Sequence, residues 1–188
     1  NGTSSNCVLV VGPLVVLTSK FSASASEILA GAIQDYGRGL IVGDTSTHGK
    51  GTVQSLLDVV PQIFRVKNPP NLGALKLTMQ QFYRPNGDST QKRGVLADVV
   101  LPSITDHMDV SESDLDYSLE FDKVPAAQFT KLDKVPGTPV VELKNLSQAR
   151  QQKSEDFTKL AKNIDRYEEF KKKKEYPINE QKCLEKKA

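Results

Sequence analysis

The chain has 188 residues, 38% hydrophobic and 26% charged, with a formal net charge of +2. That length suits one domain with a real core, or one domain plus an extension. So small a net charge gives no argument for nucleic acid or a membrane surface, and no apolar run approaches the roughly 18 residues of a membrane span. The sequence opens on Asn1 without an initiator methionine or a visible secretory signal, so the expectation is an excised fragment. Cys7 and Cys183 lie near opposite ends and are expected to be ordinary thiols rather than a disulfide.

In chain order, residues 8–11 and 14–18 are short apolar runs split by Gly12-Pro13. The second is β-branched and continuous, the pattern of a strand buried on both faces. Residues 22–36 have helical spacing. Ile28, Leu29, Ala32, Ile33 and Tyr36 share an apolar stripe, with Glu27, Gln34 and Asp35 off it. Ser22 is the expected cap, Glu27 complements the positive helix end, and Gly37 is the expected stop. Leu40-Ile41-Val42 reads as a buried strand. Strand, helix and strand within about 30 residues predict a right-handed βαβ crossover, hence an α/β fold.

Residues 45–51 read as a glycine-bounded loop and 52–60 as a weakly alternating strand. Residues 61–73 are irregular, because Pro69-Pro70 forces extended backbone. Residues 75–82 alternate as a strand with a wetter face, Pro85-Asn86-Gly87-Asp88 is a turn, and 95–101 is a short strand closed by Pro102. Composition then shifts. Residues 103–142 are acidic without a clear period, and 145–188 are helical, with 12 Lys and Arg against 8 Asp and Glu. There Phe157, Leu160, Ala161, Ile164, Tyr167 and Phe170 recur every three or four residues, giving one apolar stripe for docking. The run Lys171–Lys174 suits the negative helix end and reads as a solvated terminus. His107 reads as an ordinary surface histidine.

The chemistry concentrates in Ser22-Ala23-Ser24-Ala25-Ser26-Glu27 and Gly49-Lys50-Gly51-Thr52-Val53-Gln54. A hydroxyl becomes a nucleophile when a nearby base takes its proton, and an uncharged lysine can be that base. Ser24 at a helix start has backbone N–H groups free of intrahelical partners. The N–H of Ala25 is then a candidate donor to the oxyanion formed when a carbonyl is attacked. Lys50 is the candidate base, with Gly49 and Gly51 permitting tight backbone. A free lysine, with a pKa of about 10.4, needs a dry site without a carboxylate partner to act so. Gln54 would share a strand face with Thr52, where its amide would orient the lysine without adding charge. Two rivals remain. Residues 43–51 are similar to a phosphate loop, but five residues separate its glycines instead of four, and Gly51 follows Lys50 where Ser or Thr is needed. A Ser-His-Asp arrangement would use Ser24, His48 and Asp35 or Asp44. Serines that merely cap a helix, and a loop lysine that merely meets solvent, are the bland alternatives.

Residues 21–36, FSASASEILAGAIQDY, followed by GRGLIVGD and GKGTVQ, closely resemble the C-terminal processing peptidases, the tail-specific protease family. Residues 76–102, KLTMQQFYRPNGDSTQKRGVLADVVLP, resemble the strand and hairpin after that family's core. The charged tail resembles its C-terminal extension. The resemblance implies a crotonase/ClpP-like βαβ core sheet with flanking helices and a mainly helical C-terminal extension. It divides the chain into residues 1–102, the C-terminal part of the peptidase core, and residues 103–188, an acidic linker and charged amphipathic helix.

It further implies a serine endopeptidase that cleaves proteins recognised by their C-terminal tails. Ser24 is the implied nucleophile, Lys50 the general base, Gln54 its assistant and Asp35 a support residue about three helical turns along. No cofactor or metal is implied. Partners would be proteins or peptides with accessible C-termini, with an oligomer or adaptor protein left open. The implied setting is periplasmic or cell-envelope, without membrane insertion. Against the family pattern, the 44–49 loop is one residue longer and His48 stands where an aromatic is usual. The family's PDZ domain and glycine-rich upstream segment do not occur in these 188 residues, so this chain alone is expected to be inactive. The competing expectation is a non-catalytic protein-binding module of the same fold.

Overall fold

The computed structural model describes residues 12–60, 71–135, 137–173, 178, 179 and 181. The apolar run at 8–11, both cysteines, Lys174 and most of the irregular 61–73 stretch lie outside the described residues. A parallel sheet of order β1-β2-β5 is built from Val15–Thr18 (β1), Leu40–Gly43 (β2) and Val99–Val100 (β5). Val15 pairs with Leu40 and Thr18 with Gly43, while Val42 pairs with Val99. Helix α1, Ala25–Asp35, joins β1 to β2, so the βαβ unit forms where the alternation of patterns predicts it. A separate antiparallel pair follows, Thr52–Asp58 (β3) with Ala74–Gln81 (β4). Its register shifts between Val53 and Gln54.

The core is small. Ala30 of α1, Ile41 of β2 and Val95 are fully buried, with Val16, Ile33 and Ala97 packed against them. Two expectations change here. First, β1 is not buried on both faces: Val15 and Leu17 are 54% and 76% exposed. Among the described residues it is an edge strand, and only its Val16 face meets the core. Second, the face α1 turns inward carries Glu27, Ala30 and Gly31, whereas Ile28, Leu29 and Tyr36 of the apolar stripe are exposed. Small residues allow α1 to approach closely. A side chain at Gly31 would meet Arg84, its nearest atom 3.1 Å away.

The 95–101 segment is strand only at Val99–Val100. At Asp98 the carboxylate accepts from the Ile41 N–H at 2.8 Å and from Gln34 Nε2 at 2.9 Å, so the Ile41 donor is taken by a side chain while the Asp98 N–H still donates to Ile41 O. The 85–88 turn forms as expected, with Gly87 at φ 89° and its N–H bonded to Arg84 O.

Residues 103–135 have no long regular element but are tied down throughout. Short 3₁₀ turns form at Ile104–His107 and Glu112–Asp114. Ser89 N–H donates to Asp122 O, Val124 N–H to Gly87 O, and Leu132 N–H to Tyr36 O, so this stretch wraps back over the sheet domain. The C-terminal helix starts earlier than its charge pattern suggests. Gly137–Lys153 (α2) precedes Glu155–Lys172 (α3), and Ser154 between them accepts from Phe157 N–H. On α3, Phe157, Leu160, Ile164 and Tyr167 are half-buried while Ala161 and Phe170 are exposed, so most of the expected stripe docks. Lys171 is not simply solvated: its ammonium reaches Asp109 Oδ1 at 2.5 Å. Nor is His107 without contacts, since its Nδ1 lies 2.8 Å from Glu168 Oε1.

Candidate active site

Ser24 occupies the N-cap of α1, the position expected of Ser22, with φ 56° and ψ −111°. Few non-glycine residues adopt positive φ, and such strain persists only where surrounding structure imposes it. Here the imposing group is Glu27. Its side chain is 0% exposed, yet it accepts four hydrogen bonds. Oε2 takes the N–H of Ser24 at 2.8 Å and of Lys50 at 2.9 Å. Oε1 takes the Thr47 hydroxyl at 2.6 Å and the N–H of Gly49 at 2.7 Å. One carboxyl group therefore joins the helix start to the glycine-flanked loop. The Ser24-x-x-Glu27 spacing is a capping-box signature and accounts for the first of those bonds. No local spacing signals the other three.

Ser22, displaced from the cap, accepts from Ser19 N–H at 3.1 Å and its carbonyl takes the His48 N–H. Ser26 bonds locally to Ala23 O. Ala25 is exposed, and its N–H donates to no acceptor among the described residues. The Lys50 side chain is half-buried and pairs with no carboxylate among the described residues. The glycines around it are required. Gly49 has φ 92°, and a Cβ at Gly51 would sit 2.7 Å from Gln91 N and Ser89 Oγ.

Gln54 shares a face of β3 with Thr52, as the two-residue period predicts. Both line a cleft of about 340 Å³ with Thr78, Glu112 and residues 115–119. Gln54 is exposed and makes no hydrogen bond to Lys50. Asp35 lies at the far end of α1, held by the Arg84 guanidinium, whose Nη2 and Nε lie 2.5 and 3.1 Å from its two oxygens. The Asn86 N–H adds a longer bond to Asp35 at 3.4 Å. Asp44 accepts from Lys20 N–H at 2.7 Å and from the Thr105 hydroxyl. Neither aspartate partners His48, whose Nδ1 instead lies 3.9 Å from Glu112 Oε2. Among the described residues no cluster of His, Cys, Asp and Glu has a metal-ligating arrangement.

Residues 3–101 match peptidase family S41, and residues 105–188 match the domain described as the C-terminal domain of tail-specific protease. The chain belongs to peptidase family S41. This S41 chain is 44% identical over 124 residues to a tail-specific protease of Haemophilus influenzae, which covers 66% of the chain and 17% of that protein. It is 39% identical over 116 residues to a carboxyl-terminal-processing protease of Picosynechococcus, covering 61% of the chain and 25% of the relative. Among solved structures, a photosystem II D1 C-terminal processing protease aligns with a TM-score of 0.39 and 39% identity, over 47% of this chain and 20% of that one. The S41 chain thus spans a quarter or less of the curated relatives named here.

Proposed function

We propose that this chain carries the nucleophile and base of a serine–lysine endopeptidase acting on proteins recognised by their C-terminal tails. One observation carries the reading: Glu27 Oε2 accepts from both Ser24 N–H and Lys50 N–H, which draws together two residues far apart in sequence. The boundary between peptidase core and C-terminal extension is placed near residue 102 in the same proposal.

In this mechanism the uncharged Lys50 amine takes the proton of Ser24 as its oxygen attacks the scissile carbonyl. The Ala25 N–H, free of a described acceptor, faces the developing oxyanion together with a donor from elsewhere in the full-length protein. The protonated lysine then gives its proton to the leaving amine and later takes one from the water that hydrolyses the acyl-enzyme. Gln54, which makes no bond to Lys50 in this structure, is assigned the role of turning its uncharged amide to the amine during catalysis, and Asp35 supports the nucleophile helix from its far end. Substrate lies extended, pairing with a strand edge. Protein or peptide substrates with accessible C-termini are the partners, and an envelope or periplasmic setting is part of the proposal. No helix among the described residues is long and apolar enough to cross a membrane.

The experiment is a peptidase assay on the full-length protein with a covalent serine probe and mapping of the labelled residue. Ser24 is expected to carry the label, and Ser24→Ala and Lys50→Ala are expected to abolish cleavage while the fold persists. Cleavage that survives Lys50→Ala but not His48→Ala would overturn the lysine mechanism. A folded full-length protein that neither labels nor cleaves would leave a binding module in place of an enzyme.

A further inference from the structure

The loop from Asp44 to Gly51 has no internal scaffolding. Backbone N–H groups of residues 44, 45, 47, 48, 49, 50 and 51 all donate, and each acceptor lies outside the loop. With Gly43, Gly49 and Gly51 at its ends, local preference does little to fix its shape. Glu27 holds it from the inside. Its outer side is held by residues 104–114, of which 105–114 lie in the stretch matched to the C-terminal domain of tail-specific protease.

Those outer contacts are specific. Asp106 Oδ2 accepts from Thr45 N–H at 2.8 Å and from Thr45 Oγ1 at 2.9 Å. The Glu112 N–H donates to His48 O at 2.9 Å. Glu112 Oε1 accepts from Gln91 Nε2 at 3.0 Å, and Gln91 Oε1 in turn accepts from Gly51 N–H at 2.9 Å. Gln91 is 0% exposed and Glu112 9%. In so dry a relay, removing one member leaves the next without a partner, so its loss is felt at Gly51, directly after Lys50. The clamp is itself fastened by α3, through Glu168 to His107 and Lys171 to Asp109.

We propose that residues 104–114 form an outer clamp that sets the geometry of the loop bearing Lys50, with Asp106 and Glu112 as positioning residues. The C-terminal domain thereby finishes the active site. This rests on Lys50 being the base. A displacement of about 1 Å at a reacting group can cost roughly a hundredfold in rate, so the clamp acts on turnover and not on substrate affinity.

The test uses full-length protein, an apolar-tailed peptide substrate, and active-site titration with a fluorophosphonate so that rates refer to folded sites only. Glu112→Ala and Asp106→Ala are each expected to lower kcat about 10- to 100-fold with KM within about twofold. Gln91→Ala is expected to match Glu112→Ala, with the double variant no worse than either single, because both break one relay. Glu112→Gln keeps an acceptor for Gln91 and is expected to recover kcat to within about threefold of the parent. Asp106 lies in a partly exposed turn, so its variant reports even if Glu112→Ala does not fold. A parental kcat per titrated site in either alanine variant overturns the clamp. Ser24→Ala and Lys50→Ala are assayed alongside. Cleavage surviving in either of those defeats the catalytic assignment. Their inactivity together with an unaltered Asp106→Ala or Glu112→Ala enzyme defeats the clamp alone.

Discussion

The Glu27 carboxyl group lies 2.9 Å from the backbone nitrogen of Lys50, and the same oxygen lies 2.8 Å from that of Ser24. A side chain in the first turn of a helix therefore anchors a loop more than twenty residues downstream. Replacing Glu27 by Ala leaves three backbone N–H groups and a threonine hydroxyl without their acceptor. The expected loss is about 3 kcal/mol or more. Glu27→Gln is expected to cost about 2 kcal/mol, because in either orientation its amide nitrogen faces a backbone N–H. Denaturant unfolding measures both losses, and a change under 1 kcal/mol for Glu27→Ala would contradict the bridge.

The conformation of Ser24 makes a separate prediction. At φ 56° and ψ −111° a Cβ is strained, and glycine is not. Ser24→Gly and Ser24→Ala are both expected to lack peptidase activity. The glycine variant should be more stable than the alanine variant by about 1 kcal/mol. Equal stability would mean that the serine backbone is relaxed in solution.

Asp35 and Arg84 form a two-bond ion pair with side-chain exposures of 7% and 11%. Arg84→Ala strands the carboxylate and is expected to cost about 3–5 kcal/mol. Gly31→Ala pushes on the same pinned side chain, whose atoms would lie 3.1 to 3.2 Å from the added methyl, and should cost about 1–3 kcal/mol. Urea titrations of the two variants and their double distinguish shared from separate effects. Strict additivity would place the Gly31 penalty somewhere other than Arg84.

Tyr83 and Asp122 fasten the 115–124 stretch across the end of β4, with the hydroxyl 2.8 Å from the carboxylate. The Tyr83 hydrogen bond, then the Lys123 N–H, pull the Asp122 carboxyl below its ordinary 3.8. The same hydrogen bond, with desolvation and the Asp122 charge, lifts Tyr83 above 10.0. A lowered acid stabilises above its unfolded value and loses that contribution as pH falls through the folded one. A raised phenol stabilises below its unfolded value and loses that contribution as pH climbs through the folded one. The stability difference between the parent and Tyr83→Phe is therefore expected to be flat near neutrality and to shrink at both acid and alkaline ends. Unfolding midpoints across pH measure it, and a difference that grows on acidification would contradict the pairing.

By itself, the amino-acid order settled what depends on nearest neighbours and short periods. Alternating apolar patterns marked the βαβ unit, Pro85-Asn86-Gly87-Asp88 marked its turn, and the serine-rich helix start with the glycine-flanked lysine carried the family likeness. Tertiary structure decided what depends on contacts between distant segments. Glu27 looks like a solvent-facing acid on a helical wheel, yet it is buried because three N–H groups and a hydroxyl converge on it. Val15 and Leu17 look like core residues and lie exposed on what is, among the described residues, an edge strand. Asp106 and Glu112 belong to an acidic stretch without any period, and only folding carries them to the loop of Lys50. Hydrogen bonding explains the divide. A carboxyl group accepts from whatever donors the chain path delivers, and that path is a property of the whole fold.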